Sequence, residues 1–301
     1  MRATTLALAA FALAAPVLAA PARAADTDWK RVDEALGRPG ADQPGGVHRF
    51  GFPRTDLKVT LDGVAIEPAL ALGSWLAFQP ARGDEAMVMG DLVLTQEEVN
   101  PVMSRLAEGG IEITALHNHL LRAQPATMYM HVEGHGDPVQ LAQALRAALE
   151  RSGTPLGAPA KPSPDAGAQG AGLDTAAIEQ ALGRKGTANG KVLQVSVPRA
   201  EPVADGGMAV PPAMGSAEAI NFQAAGEGRA ATTGDFVLTA AEVNPVLRAL
   251  REHGIEVTAL HNHMLTDEPR LFFMHFWGVG EPGRLAEGLK AALDRIDVAK
   301  S

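Results

Sequence analysis

Apolar and polar residues alternate with a period of two through much of the first half of the chain. The stretches "VHRFGF", "LKVTL", "VAIEP", "SWLAF" and "AMVMGDLVL" therefore read as strands, with Asp62-Gly63 as a two-residue turn between the second and third. Helical spacing takes over in "DWKRVDEALG" and "DTAAIEQALG", and again in "PVQLAQALRAALE" and "GRLAEGLKAALD". A further helix is announced by a capping box, Thr95 to Glu98, with a twin at Thr239 to Glu242. In each, hydroxyl and carboxylate satisfy free N–H groups of the first turn. Pro101 and Pro245 follow within that helix and are expected to bend or delay it. The pattern predicts an α+β protein with mainly antiparallel sheet.

The same order of elements occurs twice. From Gly90 to Glu150 the chain matches Gly234 to Asp294 without a gap, at an offset of 144 residues and with 34 of 61 positions identical. Such a match is an internal duplication. Between the copies, "GTPLGAPAKPSPDAGAQGAG" has no apolar period and reads as a linker. The expected division is a first repeat domain at 25–152, a linker at 153–172 and a second repeat domain at 173–301. Two copies without a third point to a closed pair related by a pseudo-twofold axis.

The candidate chemistry lies in "IEITALHNHLL" and its copy "IEVTALHNHML". As a strand, the first places Ile111, Ile113, Ala115, His117 and His119 on one face, so both imidazoles continue an apolar stripe. The second repeats this with His261 and His263. The following strands, "TMYMHVEG" and "LFFMHFWG", carry His131 and His275. A hairpin centred near Gln124 would set His131 almost opposite His117. Two imidazoles on one strand and a third on its neighbour form a scaffold for a divalent transition metal, zinc first among them. This predicts a three-His site in each repeat: His117, His119 and His131, then His261, His263 and His275. Glu133 shares the face of His131 and is a candidate fourth ligand or catalytic base, and nearby His135 is a further candidate ligand. Their counterparts, Trp277 and Val279, make the second site more aromatic. The plain alternative is a set of core histidines whose ring nitrogens are satisfied by carbonyls or carboxylates.

Other residues narrow the choice. Asp91 and Asp235, each after a glycine, either form turns or face the site. Arg54 and Arg199, in "PRTD" and "PRAE", either anchor an anion or pair with a carboxylate. The methionines of "AMVMG" and "TMYM" alternate as strand residues do and are assigned to core packing. No Gly-rich phosphate loop follows a strand and no serine nucleophile elbow is present, so covalent catalysis has no support. A metal-dependent hydrolase is compatible with the histidines, but no specific motif marks one.

Without cysteine, thiolate ligands and disulfides are excluded, leaving imidazole, carboxylate and backbone oxygen for any metal. The formal charge of −9 argues against nucleic acid as a partner. Arg2, the apolar run Leu6 to Leu18 and Ala22-Arg23-Ala24 read as a secretory signal over 1–24. That run is too short to span a bilayer, and no later segment approaches the length needed.

The segments "MVMGDLVLTQEEVNPVMSRLAEGGIEITALHNHLL", "INFQAAGEGRAATTGDFVLTAAEVNPVLRALREHGIEVTALHNHML" and "EPRLFFMHFWG" resemble the LppY/LpqO-type exported bacterial proteins, a domain of unknown function. The likeness covers nearly the whole chain after residue 24 and implies export without implying an activity. Named members are lipoproteins. This chain lacks a lipobox cysteine, so the expectation is release into the periplasm or the medium. Three readings stand at this point: a metal-binding protein, a module holding a small ligand or cell-envelope component, and a structural envelope protein.

Overall fold

The computed structural model describes residues 27–157 and 172–300. The expected secretory leader, and residues 158–171 of the expected linker, lie outside the described residues. The first repeat runs α1 (Trp29–Leu36), β1 (Ala41–Gln43), β2 (Val47–Pro53), β3 (Thr60–Leu61), β4 (Val64–Ala65), α2 (Pro68–Ala71), β5 (Gly73–Pro80), β6 (Ala86–Thr95), α3 (Gln96–Glu108), β7 (Glu112–His117), β8 (Thr127–Gly136) and α4 (Pro138–Leu149). The second runs α5 (Thr175–Leu182), β9 (Thr187–Asn189), β10 (Val192–Pro198), β11 (Ala204–Asp205), β12 (Met208–Ala209), a 3-10 turn (Pro212–Met214), β13 (Ala217–Gly226), β14 (Arg229–Thr239), α6 (Ala240–Glu252), β15 (Glu256–His261), β16 (Leu271–Gly280) and α7 (Pro282–Leu293).

Each repeat forms one six-stranded antiparallel sheet, ordered β1-β2-β5-β6-β8-β7 and, in the same sense, β9-β10-β13-β14-β16-β15. The α+β expectation holds. Alternation sorts each sheet into two faces. In the first, Val88, Leu92, Leu94, Met130 and Val132 pack with Val102, Leu106, Leu141 and Leu145 of α3 and α4. On the opposite face Val93 and Tyr129 pack with Val192, Ala231 and Trp277 of the second repeat. Ala77, Met87 and Met89 likewise meet Met214, Val237 and Phe273. The two sheets therefore pack face to face with helices outside, which buries β6 on both sides.

Side chains also lock the repeats together. Gln223 receives the Glu67 N–H at 2.9 Å and donates to Ala65 O at 2.8 Å, and Asn221 donates to Leu70 O at 3.0 Å. Both capping boxes form: Glu98 Oε2 accepts from Thr95 N at 2.8 Å and Glu242 Oε2 from Thr239 N at 2.7 Å. The same glutamates hold the arginines. Arg54 donates to Glu98, to Val93 O and to Asp56, and Arg199 to Glu242 and Val237 O. Pairing with a carboxylate is thus what these arginines do. Helices α3 and α6 continue through Pro101 and Pro245.

Candidate metal centre

The histidine strands depart from the simple alternation expected of them. Ile113 pairs with Val132 and Ala115 with His131, with a β-bulge between them at Thr114. The second repeat repeats the irregularity between Val257 and Ala259. An extra residue inverts the faces beyond it. Ile111 and Ile113 consequently pack with the helix-side core, while His117 turns to the sheet–sheet interface. The expected continuous stripe is broken. The expected register also shifts: His117 lies opposite Tyr129, and His131 opposite Ala115. His119 follows the end of β7, in a bend. The bulge is what lets a strand that is apolar toward the helices become polar toward the interface.

Each expected histidine triad stays together, and the two triads lie against each other rather than apart. They meet across the pseudo-twofold axis, His117 stacked on His261 at 3.5 Å between ring centroids, His119 on His275 at 3.6 Å and His131 on His263 at 3.6 Å. The last two contacts exchange under the 144-residue offset, as a dyad requires. Within a repeat the outer rings stand 4.8–5.0 Å from the central His117 or His261, and His263 and His275 stand 6.0 Å from each other. Tyr129 closes the stack over His119 at 3.4 Å and Phe273 over His263 at 3.6 Å. Ring nitrogens of His117, His261, His263 and His275 lie within 4.8 Å of one another, as do those of His117, His119 and His131. These groups have the chemistry and spacing to hold a metal ion.

Hydrogen bonding sharpens the point. His275 Nδ1 contacts Gly234 O at 3.0 Å. Accepting from that ring N–H, the carbonyl leaves the Nε2 lone pair facing the centre. Gly234 is required there, because a Cβ would come within 1.9 Å of Ala219 O on the adjacent strand. The Nε2 atoms of all six histidines are enclosed and without a hydrogen-bond partner. Burial holds the imidazoles neutral: His117 is pushed down to about 3, with His261 adding to the effect, and His261 to about 4. His119, His131, His263 and His275 lie well below 6.5, first through burial and then through their neighbours. Neutral imidazole is the form that binds metal.

Asp91 and Asp235 are not turn residues. They sit mid-strand in β6 and β14, directly opposite His131 and His275. Asp91 stands 4.0 Å from His119 Nε2 and 3.9 Å from His131 Nε2, and Asp235 stands 3.9 Å from those of His263 and His275. Burial raises Asp91 to about 8, against the pull of Arg49. Burial, followed by the charge of Asp91, raises Asp235 well above the usual carboxylate range. The available signal was an ionisable side chain on the Met89-Asp91-Val93 face of an otherwise apolar strand.

Glu133 and His135 lie elsewhere. His135 Nε2 meets Glu133 Oε1 at 2.9 Å, and Glu133 also hydrogen-bonds Asp205 of the second repeat. Neither belongs to the histidine groups that could hold an ion. A narrow cavity reaches His131 and His263 from the flank lined by Trp75, Met89, Met214, Met264 and Phe273.

A family profile described as Domain of Unknown Function (DUF1259) matches the chain over residues 30–151 and again over 176–295. No curated protein matches the sequence significantly. Among solved structures, the trimeric bacterial microcompartment shell protein PduB is 12% identical at a TM-score of 0.22, over 86% of this chain and 91% of that one. EtuB from Clostridium kluyveri is 8% identical at a TM-score of 0.20, over 85% of this chain and 89% of that one. Likenesses at that level carry no inference about function. No helix among the described residues is long and apolar enough to cross a membrane.

Proposed function

The chain belongs to the family described as Domain of Unknown Function (DUF1259), in two tandem copies, and from that premise we propose that it is a metal-binding protein whose repeats jointly hold a divalent transition ion. The supporting observation is the set of six enclosed Nε2 atoms without partners, contributed equally by both repeats. An unsatisfied buried polar group costs about 1–3 kcal/mol, and coordination removes that cost at every ring together. The Gly234 carbonyl on His275 Nδ1 is the outer support that metal-bound imidazoles use. Zinc is the first choice, since the donors are imidazole and carboxylate and thiolate is absent. Glu133 is engaged by His135 and Asp205, so the reading gives it no catalytic part. The reading extends to the LppY/LpqO-type assignment, on the repeat segments that carry that resemblance, and to export to the periplasm or medium, on the leader-like pattern of residues 1–24.

The test is elemental analysis of purified protein, stripped by chelator and reloaded with Zn²⁺. The native chain should retain at least one ion after dialysis. The double variant H119A/H275A should lose it, and H135A should retain it. A native chain without zinc above background overturns the reading.

A further inference from the structure

Six imidazoles do not account for every unsatisfied donor at the centre. Oδ1 of Asp91 and Oδ1 of Asp235 are also enclosed and without a hydrogen-bond partner. At 3.9–4.0 Å from the Nε2 atoms they face, these carboxylates are too far for hydrogen bonds. A carboxylate that merely orients a metal-bound histidine accepts from the other ring nitrogen, the one the metal leaves free. Here the oxygens look toward the nitrogens that themselves lack partners. The gap is one that two ligands of a single ion can span, since bonds of about 2.0–2.2 Å allow donor separations up to about 4 Å.

The donor count then exceeds one ion. Six imidazoles and two carboxylates offer eight ligands, whereas an octahedral first-row ion takes six. The dyad divides them evenly: Asp91 with His119 and His131, Asp235 with His263 and His275, and the stacked pair His117 and His261 between the two sets. His117 itself lies within ligand distance of histidines from both sets.

Building on the metal-binding reading above, we propose that the centre is dinuclear, with Asp91 and Asp235 as ligands, one to each of two divalent first-row ions. The mixed nitrogen and oxygen donors suit Zn²⁺, Co²⁺, Fe²⁺ or Mn²⁺ rather than a soft monovalent ion. The two carboxylates offset half of the charge that two such ions bring into a buried site.

Titration of the stripped full-length protein with Co²⁺, followed by visible absorption and equilibrium dialysis, decides the matter. The native chain should saturate at two equivalents. D91N/D235N should bind no more than one, with affinity weakened by at least about tenfold. Asparagine keeps the shape and removes the charge, and circular dichroism verifies that the variant is folded. Saturation of the native chain at one equivalent, or a D91N/D235N chain that still takes up two with native affinity, overturns the dinuclear centre. A native chain that takes up no Co²⁺ overturns the metal-binding reading itself.

Discussion

Tyr129 covers His119 in the first repeat and Phe273 covers His263 in the second, and the divergence widens with distance from the rings. Beside Tyr129 the interface is closed by Val59, Leu61, Leu70, Leu120 and Trp277. Beside Phe273 it is closed by Met87, Met89, Met214 and Met264, and this is the flank that carries the cavity. The hairpins differ likewise, their aspartates standing at different positions, with Asp205 in the place of Leu61 and Gly206 in that of Asp62. Asp62 accepts from Trp277 Nε1 at 3.1 Å and from Arg122, whereas Asp205 meets Glu133 and accepts from Thr266. The four inward donors of one repeat recur in the other while their surroundings have drifted. Convergence on a shared point constrains a residue more tightly than filling space around it does, because apolar volume can be supplied by several side chains.

The largest expected contrast lies at the arginines. Arg54 is fully buried, and its Nε is satisfied by Asp56 at 3.0 Å, whereas Arg199 Nε has no partner. R54A strands Glu98 and Asp56 and should cost about 3–5 kcal/mol, the range for breaking a buried ion pair from one side. R199A should fall at or below the lower end. Urea unfolding of both variants checks this, and equal losses would show that Asp56 adds nothing.

Next comes the asymmetric carboxyl pair. Burial, then Asp205, raises Glu133 from 4.5 to about 7, with His135 pulling the other way. Between pH 4.5 and about 7 the native state holds a proton that the unfolded state has released. Stability from this group therefore falls as pH rises across that window and levels off above it. E133Q should gain stability relative to the native chain between pH 5 and pH 8, on the order of 2 kcal/mol. Melting temperatures at the two pH values report the difference, and a constant offset would deny Glu133 its raised value.

The smallest effect is expected at Tyr129, whose hydroxyl donates to Ala71 O at 2.8 Å, a bond Phe273 cannot make. Y129F should cost about 1 kcal/mol and leave metal uptake intact. A loss of uptake would mean that the tyrosine does more than close the stack.

Much of this molecule can be read from its residues. Duplication at 144 residues, the capping boxes and the period-two strands foretold two sheets and their helices, because these signals are local. The short strands β1 and β9 carry exposed residues without alternation and so leave no periodic signal in the sequence. The histidine register came out displaced because the bulges at Thr114 and Thr258 leave no mark in a run of apolar residues. Asp91 and Asp235 each follow a glycine, where a turn and a close strand approach have the same local sequence.

The sequence by itself determined the inventory: three imidazoles per repeat, at equivalent positions, in a chain without thiols. Only the tertiary structure decided that the two inventories share one place. Local periodicity says which face of a strand a side chain occupies, but the face opposite belongs to residues some 144 positions away. Their meeting follows from packing two apolar sheet faces together, a long-range event that no short window of sequence encodes.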